Sequence, residues 1–370
     1  MKTKVLFLTL SIFSRTGGIE KVCRTICKAL SELYTETGTG WQTLSMHDPG
    51  GAALQNLYFP SRFFVGYDGK KIPFVLNSIR EGIKSRLVLL SHINLLLPGY
   101  LIKLFSPSTK LVLLAHGIEV WKPFTSLQKK MFKKVDLVLP VSNYTRDRMV
   151  ELHSPGNDKL VVLNNCLDPF IPEPLKNGMD TSFLSRYGLT KEHTILLTLT
   201  RMMSDEKYKG YDHVLNALPE LIKEHPGLRY LLAGKYDEQE KARLDKMIDN
   251  LGLNGFVVFT GFIADADLPA HFANADIFVM PSSGEGFGLV FIEAMHYGLP
   301  VIAGNKDGSV DALANGQLGI LIDPGSKKEL VNAINKVLNN RDAFLPDKQK
   351  LNAYFGYEQY KRKLGNLLNL

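Results

Sequence analysis

The sequence predicts an α/β protein built as two doubly wound parallel sheets. Three observations carry that prediction. Short apolar, β-rich runs alternate with helix-length amphipathic segments along all 370 residues, which is the pattern of parallel strands joined by crossover helices. About six such runs fall in each half, too many for one small sheet and arranged for two doubly wound domains rather than one barrel. A proline-rich, aperiodic stretch, DPFIPEPLKNG at 168–178, separates the halves and reads as a stiff linker.

Taken in order, the expected strands of the first half are 4–10, 41–46, 87–91, 110–114, 136–141 and 159–163. Those of the second half are 194–200, 228–233, 256–260, 276–280, 300–304 and 319–322. Helices are expected at 18–33, 143–153, 210–224 and 237–251, where apolar residues recur at helical spacing. The opening MKTKVLFLTLSIFSRTGG has two lysines before an apolar run, but no small-residue cleavage site follows, so it reads as a buried first strand rather than a leader. The apolar stretch LVLLSHINLLLPGYLI is broken by His92, Asn94 and Pro98 and reads as strand, turn and helix rather than a membrane span. The last helix, in FGYEQYKRKLGNLLNL, carries an apolar stripe of Tyr357, Tyr360, Leu364, Leu367 and Leu368.

Composition is that of a globular protein, with 45% apolar and 22% charged residues. The net charge of +7 is uneven: residues 1–170 hold 22 Lys+Arg against 12 Asp+Glu, and the remainder 22 against 25. The basic half suits an anionic substrate, a nucleic acid or a membrane surface. Neither a nucleic-acid module nor an aromatic-interleaved basic stripe accompanies it, which disfavours nucleic acid. Cys23, Cys27 and Cys166 form no CxxC and are odd in number; they read as small core residues in a reduced cytosol. No GxGxxG and no GxxxxGK[ST] occurs, so the dinucleotide and P-loop fingerprints are absent.

Ligands of open parallel sheets bind beyond the carboxyl ends of the strands, and five stretches place chemistry there. SSGEGFGLVFIEAMHYG puts Glu285 in a loop, Gly286, Phe287, Gly288 and Leu289 at a helix start, and Glu293 within the helix. Backbone N–H groups at such a start suit a diphosphate, and a carboxylate accepts well from vicinal hydroxyls, so one acid per sugar ring is a sensible use. LTRMMSDEKYKG places Arg201 and Lys209 in a loop after another strand, where both could hold one pyrophosphate. SRTGGIEKV repeats strand, Gly17-Gly18, helix in the first half. LVLLAHGIEVW ends a strand at His116, and LVLLSH ends one at His92; a histidine there could bind a hydroxyl or a developing charge. Asp265–Asp267 opens a helix and reads as capping rather than a metal-binding DxD.

Together these residues resemble the retaining glycosyltransferases of GT-B fold, in the family of sugar-nucleotide enzymes called glycosyltransferase family four (group 1 type). The pieces run in the family's order over nearly the whole chain: GGIEKV, HGIEVW, PVSNYTRDRM, VVLNNCLDP, LTRMMSDEKYKGYDHVLNAL, YLLAGKYDE, VVFTGF, the Glu285–Glu293 block and LGILIDP. The Glu-Gly-Phe-Gly…Glu block is the specific one. Departures are Thr200 before Arg201, Asn165-Cys166 where Asn-Gly is usual, and Asp311 where a glutamate is frequent.

The resemblance implies two Rossmann-like domains facing each other across a cleft: an acceptor-side domain over 1–168, onto which a helix at about 355–370 packs back, a linker over 169–178, and a donor domain over 179–354. Arg201 and Lys209 would hold the diphosphate, Glu293 the ribose hydroxyls and Glu285 the transferred sugar. Backbone at Gly286, Phe287, Gly288 and Leu289 would complete the donor site, and Gly17 and Gly18 would cover the phosphates. His116 would stand near the reacting carbon, with His92 on the acceptor side. Catalysis would retain configuration, the departing phosphate taking the acceptor's proton. No metal and no cofactor are expected, the sugar nucleotide being a substrate.

The implied activity is hexose transfer from a UDP- or GDP-sugar to a glycan or lipid-linked glycan in polysaccharide biosynthesis. A sugar-nucleotide epimerase or a phosphorylase on the same fold, or a non-catalytic sugar-nucleotide-binding partner, are the alternatives. The stretch SLQKKMFKKVD carries Lys129, Lys130, Lys133 and Lys134 on a helix with Met131 and Phe132, suggesting peripheral contact with an anionic membrane by a cytoplasmic protein at its inner face.

Overall fold

The computed structural model describes residues 4–37, 40–154, 156–174 and 181–370. The chain divides into two compact units, Met1–Pro169 with Phe355–Leu370, and Phe170–Tyr354. Residues 175–178 of the expected linker lie outside the described residues.

The first unit is a six-stranded parallel sheet, β1 (Val5–Thr9), β2 (Trp41–Ser45), β3 (Phe64–Gly66), β4 (Leu87–Leu90), β5 (Lys110–Ala115) and β6 (Leu137–Pro140), in the order β3-β2-β1-β4-β5-β6. Its helices are α1 (Gly18–Thr37), α2 (Lys71–Gly82), α3 (Leu96–Phe105), α4 (Ser126–Phe132) and α5 (Asn143–His153). β1 and β4 are buried throughout, as central strands covered on both faces must be, which explains their unbroken apolar runs; the edge strand β6 is buried as well. The opening apolar run is therefore the middle of a sheet. α3 packs between α2 and α4.

The second unit has α6 (Thr181–Arg186), then β7 (Thr194–Leu199), α7 (Tyr211–Glu224), β8 (Leu228–Ala233), α8 (Glu238–Asn250), β9 (Val257–Gly261), α9 (Leu268–Ala273), β10 (Ile277–Met280), α10 (Leu289–His296), β11 (Val301–Gly304), α11 (Ser309–Ala312), β12 (Ile320–Ile322) and α12 (Lys327–Asn339). Its sheet runs β12-β11-β10-β7-β8-β9, all parallel. Counted from its own first strand, this is the same winding as in the first unit. In both, strand order reverses direction between the first and fourth strands.

Two helices close the chain, α13 (Lys348–Phe355) and α14 (Tyr357–Leu368). α14 belongs to the first unit and packs on α1. Tyr360, Leu364 and Leu368 are its buried stripe, and Gly365 lets the helix come down on Leu33. The Tyr357 hydroxyl donates to Glu32 at 2.7 Å and Lys361 Nζ reaches the same carboxylate at 3.1 Å.

Three expectations need correction. The run 159–163 is not a ladder strand: Leu160 makes a single bridge to Val138, and the chain then leaves the sheet. The sixth strand is instead β3, whose three residues are too few to show alternation in sequence. Asp267 stands before α9 without a side-chain capping bond. The basic helix stops at Phe132, and Met131 and Phe132 are buried in the core rather than presented to solvent.

Candidate functional site

In a doubly wound sheet the strand-order reversal opens a crevice at the carboxyl ends, because the loops on its two sides run to opposite faces. In the second unit that point lies between β7 and β10. The loops leaving those strands carry Arg201 and Lys209 on one side and Glu285 and Gly286, Phe287, Gly288 on the other. Residues 76 apart in sequence meet across it: Lys209 Nζ donates to Glu285 Oε1. Both side chains are mostly buried, 12% and 15% exposed. Burial would by itself push the Lys209 ammonium down, but Glu285, Tyr208 and Glu206 hold it above the ordinary lysine range. Lys209 is therefore a fixed cation. It also lies 5.0 Å from the Tyr208 ring centroid, and that ring fills the space a side chain at Gly284 would need.

Arg201 is the exposed cation of the pair, 65% accessible, with Nη2 donating to Glu206 Oε1 at 2.7 Å. Glu206 is mostly buried, and its Oε2 has no hydrogen-bond partner among the described residues.

The Glu285 loop is shaped by a residue that sequence reasoning passed over. Asp307 is 1% exposed. It accepts from Glu285 N at 2.7 Å, Ser282 Oγ at 2.8 Å and Ser309 N at 2.9 Å. The next residue completes the clamp, Gly308 N donating to Glu285 O at 2.8 Å. A Cβ on Gly308 would stand 2.0 Å from the Gly286 carbonyl oxygen, so only glycine fits. Burial raises the Asp307 carboxyl above its usual range despite these hydrogen bonds. Gly288, at φ +84°, is the left-handed residue from which α10 starts. Phe287 is buried beneath the turn, and Leu289 opens the helix. Glu293 is the fifth residue of α10 and is buried, not solvent-facing. Its charge, after the larger effect of burial, helps push the Tyr297 hydroxyl up to about 12.

The first unit has its reversal between β1 and β4. The loop after β1 runs to Gly17 and Gly18, where α1 begins. Asp48 holds it, accepting from Ile12 N at 2.7 Å, Phe13 N at 3.2 Å and Ser14 N at 2.7 Å, and from the hydroxyls of Ser11 and Ser45. Burial works to raise this carboxyl, but the hydrogen bonds outweigh it and leave it below the ordinary aspartate range. Asp48 and Asp307 are the same device. Each stands three residues past the end of the strand next to one that borders the reversal, β2 ending at Ser45 and β11 at Gly304. Asp48 holds the loop of the neighbouring strand by three backbone N–H groups, and Asp307 by the Glu285 N–H and the Ser282 hydroxyl. The sequence signal is an acid just beyond a strand end, which is too common to single out unaided.

His92 and His116 stand just past the ends of the adjacent strands β4 and β5. His116 Nε2 lies 2.8 Å from the Ser91 carbonyl; a carbonyl only accepts, so Nε2 carries the proton and Nδ1 is the basic nitrogen. The His116 N–H donates to Glu119 Oε1 at 2.5 Å, a third acid that folds a loop. His92 Nδ1 accepts from Asn94 N at 3.1 Å. Burial, then the neighbouring His116, lower the His92 pKa, with Glu119 opposing. Among the described residues no group of three or more His, Cys, Asp or Glu is placed to hold a metal.

The model for glycosyl transferases group 1 matches residues 185–362, and that for glycosyltransferase family 4 matches 16–169. The chain is related to these two glycosyltransferase families, and its fold is GT-B. Anabaena HepE in complex with UDP-glucose has the same fold, with TM-score 0.79 at 20% identity over 99% of both chains. So has the sucrose-phosphate synthase of Thermosynechococcus elongatus, at TM-score 0.78, 18% identity, and 99% and 98% of the two chains. In sequence, the GDP-mannose-dependent alpha-(1-6)-phosphatidylinositol monomannoside mannosyltransferase of Mycobacterium tuberculosis is 30% identical over 61% of this chain and 60% of that protein. The Agrobacterium fabrum mannosylfructose-phosphate synthase is 28% identical over 54% and 44%. The chain thus matches about 60% of the length of the first of these relatives. The GT-B glycosyltransferase relation covers both units, one family model falling on each.

Proposed function

We propose that the protein transfers a hexose from a UDP- or GDP-sugar, with retention and without a metal, to a glycan or lipid-linked glycan. The observation that carries this reading is the buried Lys209–Glu285 pair across the strand-order reversal of the second unit. It sets a fixed cation beside a carboxylate at the edge where this fold binds ligands. Lys209 and Arg201 would take the diphosphate, Glu285 the hydroxyls of the transferred sugar, and Glu293 the ribose. Backbone at 286–289 would contact the phosphates and sugar. Gly17 and Gly18 would lie against phosphate on the first unit's side of the reaction.

In the step itself the bond from the anomeric carbon to the diphosphate oxygen breaks and a bond to the acceptor oxygen forms on the same face. The acceptor's proton passes to the departing diphosphate. The protein's work would be to position the partners and stabilise charge on the leaving group, the latter falling to Lys209 and Arg201. His116, with Nδ1 basic, would orient an acceptor hydroxyl, and His92 would border it. Relatives named for GDP-mannose and a structure solved with UDP-glucose support a sugar nucleotide as donor. The phosphatidylinositol mannoside in the first relative's name supports a lipid-borne acceptor.

The test is thermal melting against UDP-, GDP-, ADP- and dTDP-sugars, repeated with Glu293→Ala. A ligand at about 100 times its Kd adds about 2.7 kcal/mol. One nucleotide class should raise the melting temperature of the wild type and not of the variant. No shift with any of them would remove the donor assignment.

A further inference from the structure

In a parallel sheet every helix that follows a strand starts at the carboxyl edge. α2, α3 and α4 follow β3, β4 and β5, so their first turns stand in a row at that edge of the first unit, α3 in the middle. A helix start ordinarily carries small polar or acidic residues, which satisfy its free N–H groups and its dipole. Here none of the three has an acid in its first turn. The second residue of each is a large aliphatic side chain open to solvent: Ile72 at 74%, Leu97 at 47% and Leu127 at 61% exposure. Ile118, in the loop after β5, is exposed as well.

Exposed lysines lie close in sequence to two of these side chains. Lys70 and Lys71 flank Ile72, and Lys122, Lys129 and Lys130 flank Leu127, all exposed. The loops that lead into the three helices, 67–70, 91–95 and 116–125, contain two acids, Asp68 and Glu119. Glu119 is turned onto the His116 N–H. The same loops carry His92 and His116.

We propose that this edge docks on an anionic lipid bilayer, Ile72, Leu97 and Leu127 entering the interface while the lysines engage lipid phosphates. An aliphatic side chain gains by leaving water and a lysine by meeting a negative surface, and one edge supplies both. The surface differs from the one the sequence suggested. Met131 and Phe132 are core residues, and Lys133 and Lys134 lie at the far end of α4. The inference deepens the reading of the acceptor as lipid-linked, since docking would bring a lipid-borne hydroxyl to the histidine loops.

The experiment is co-sedimentation of the full chain with vesicles of phosphatidylcholine alone, and of two parts phosphatidylcholine to one part phosphatidylglycerol. The wild type should sediment with the second and not the first, and added salt should weaken binding. The triple variant Ile72→Gln, Leu97→Gln, Leu127→Gln should bind about ten-fold more weakly, at an unchanged melting temperature because all three positions are exposed. Leu104→Gln with Phe105→Gln, at the other end of α3 and also exposed, should bind as the wild type. Absent binding, equal binding to both vesicles, or a triple variant that binds normally would overturn the proposal. So would self-association without vesicles that the triple variant abolishes, which would assign the edge to a second copy. The nucleotide-induced melting shift should survive in the triple variant; if the shift is absent from the wild type while docking is seen, the transferase reading fails and docking stands.

Discussion

Lys209 and Glu285 each neutralise a charge the other would leave buried. Removing one partner of a buried ion pair costs more than removing both, because the survivor keeps its desolvation penalty. Lys209→Ala is therefore expected to destabilise the second unit by about 3 kcal/mol. Adding Glu285→Ala should recover part of that loss, as urea denaturation of the two single variants and the double variant would show. Asp48 makes a prediction in pH. Its folded pKa lies below the ordinary value, so the folded state holds the carboxylate more tightly than the unfolded chain does. That stability is fully present above the unfolded pKa and is lost as pH falls through the folded one. Asp48→Asn should be less stable at neutral pH and should flatten the acid limb of the first unit's urea midpoint. Equal acid limbs in wild type and variant would exclude Asp48 as the source.

At the scale of elements, the loops that carry candidate residues are folded by acids from neighbouring strands. Asp307 and Gly308 fix both the N–H and the carbonyl of Glu285, so they are positioning residues for its carboxylate. Asp307→Ala leaves two backbone N–H groups without their acceptor, at about 1–3 kcal/mol each if they stay buried. Turnover should fall more than apparent donor affinity, since the cations that would hold the diphosphate are untouched; an equal fall in both would mean the loop had simply unfolded. Gly308→Ala is expected to be harsher, because its Cβ would meet backbone rather than a movable side chain. In the sequence, the glycines and the two glutamates of this block were legible as a helix start with acids on either side. Asp307 was not, because its role depends on where β11 lies relative to β10.

For the whole molecule, two units with separate cores invite separate unfolding transitions. If the second unit alone binds the donor, a nucleotide should shift its transition and leave the other where it is. Differential scanning calorimetry with and without UDP or GDP reads this directly, and a ligand that moved only the first unit's transition would reverse the donor assignment. The chain's last helix belongs to the first unit, with Tyr360, Leu364 and Leu368 buried. A truncation after Phe355 should therefore lower the first unit's transition.

The sequence by itself determined the fold class, the identity of nearly every strand, and which residues stand at strand ends. Those facts follow from local periodicity, and covered parallel strands are apolar enough to be read without neighbours. It misread 159–163 and missed β3, where the pairing partner rather than the pattern makes the strand. Only the tertiary structure decided that Lys209 meets Glu285 across 76 residues, that Asp48 and Asp307 tie down the loops, that Glu293 is buried, and that Met131 and Phe132 face the core. It also set three exposed aliphatic side chains in a row at one edge. Each of these is a relation between separate strands or helices. Parallel winding brings such residues together only when the whole sheet is assembled.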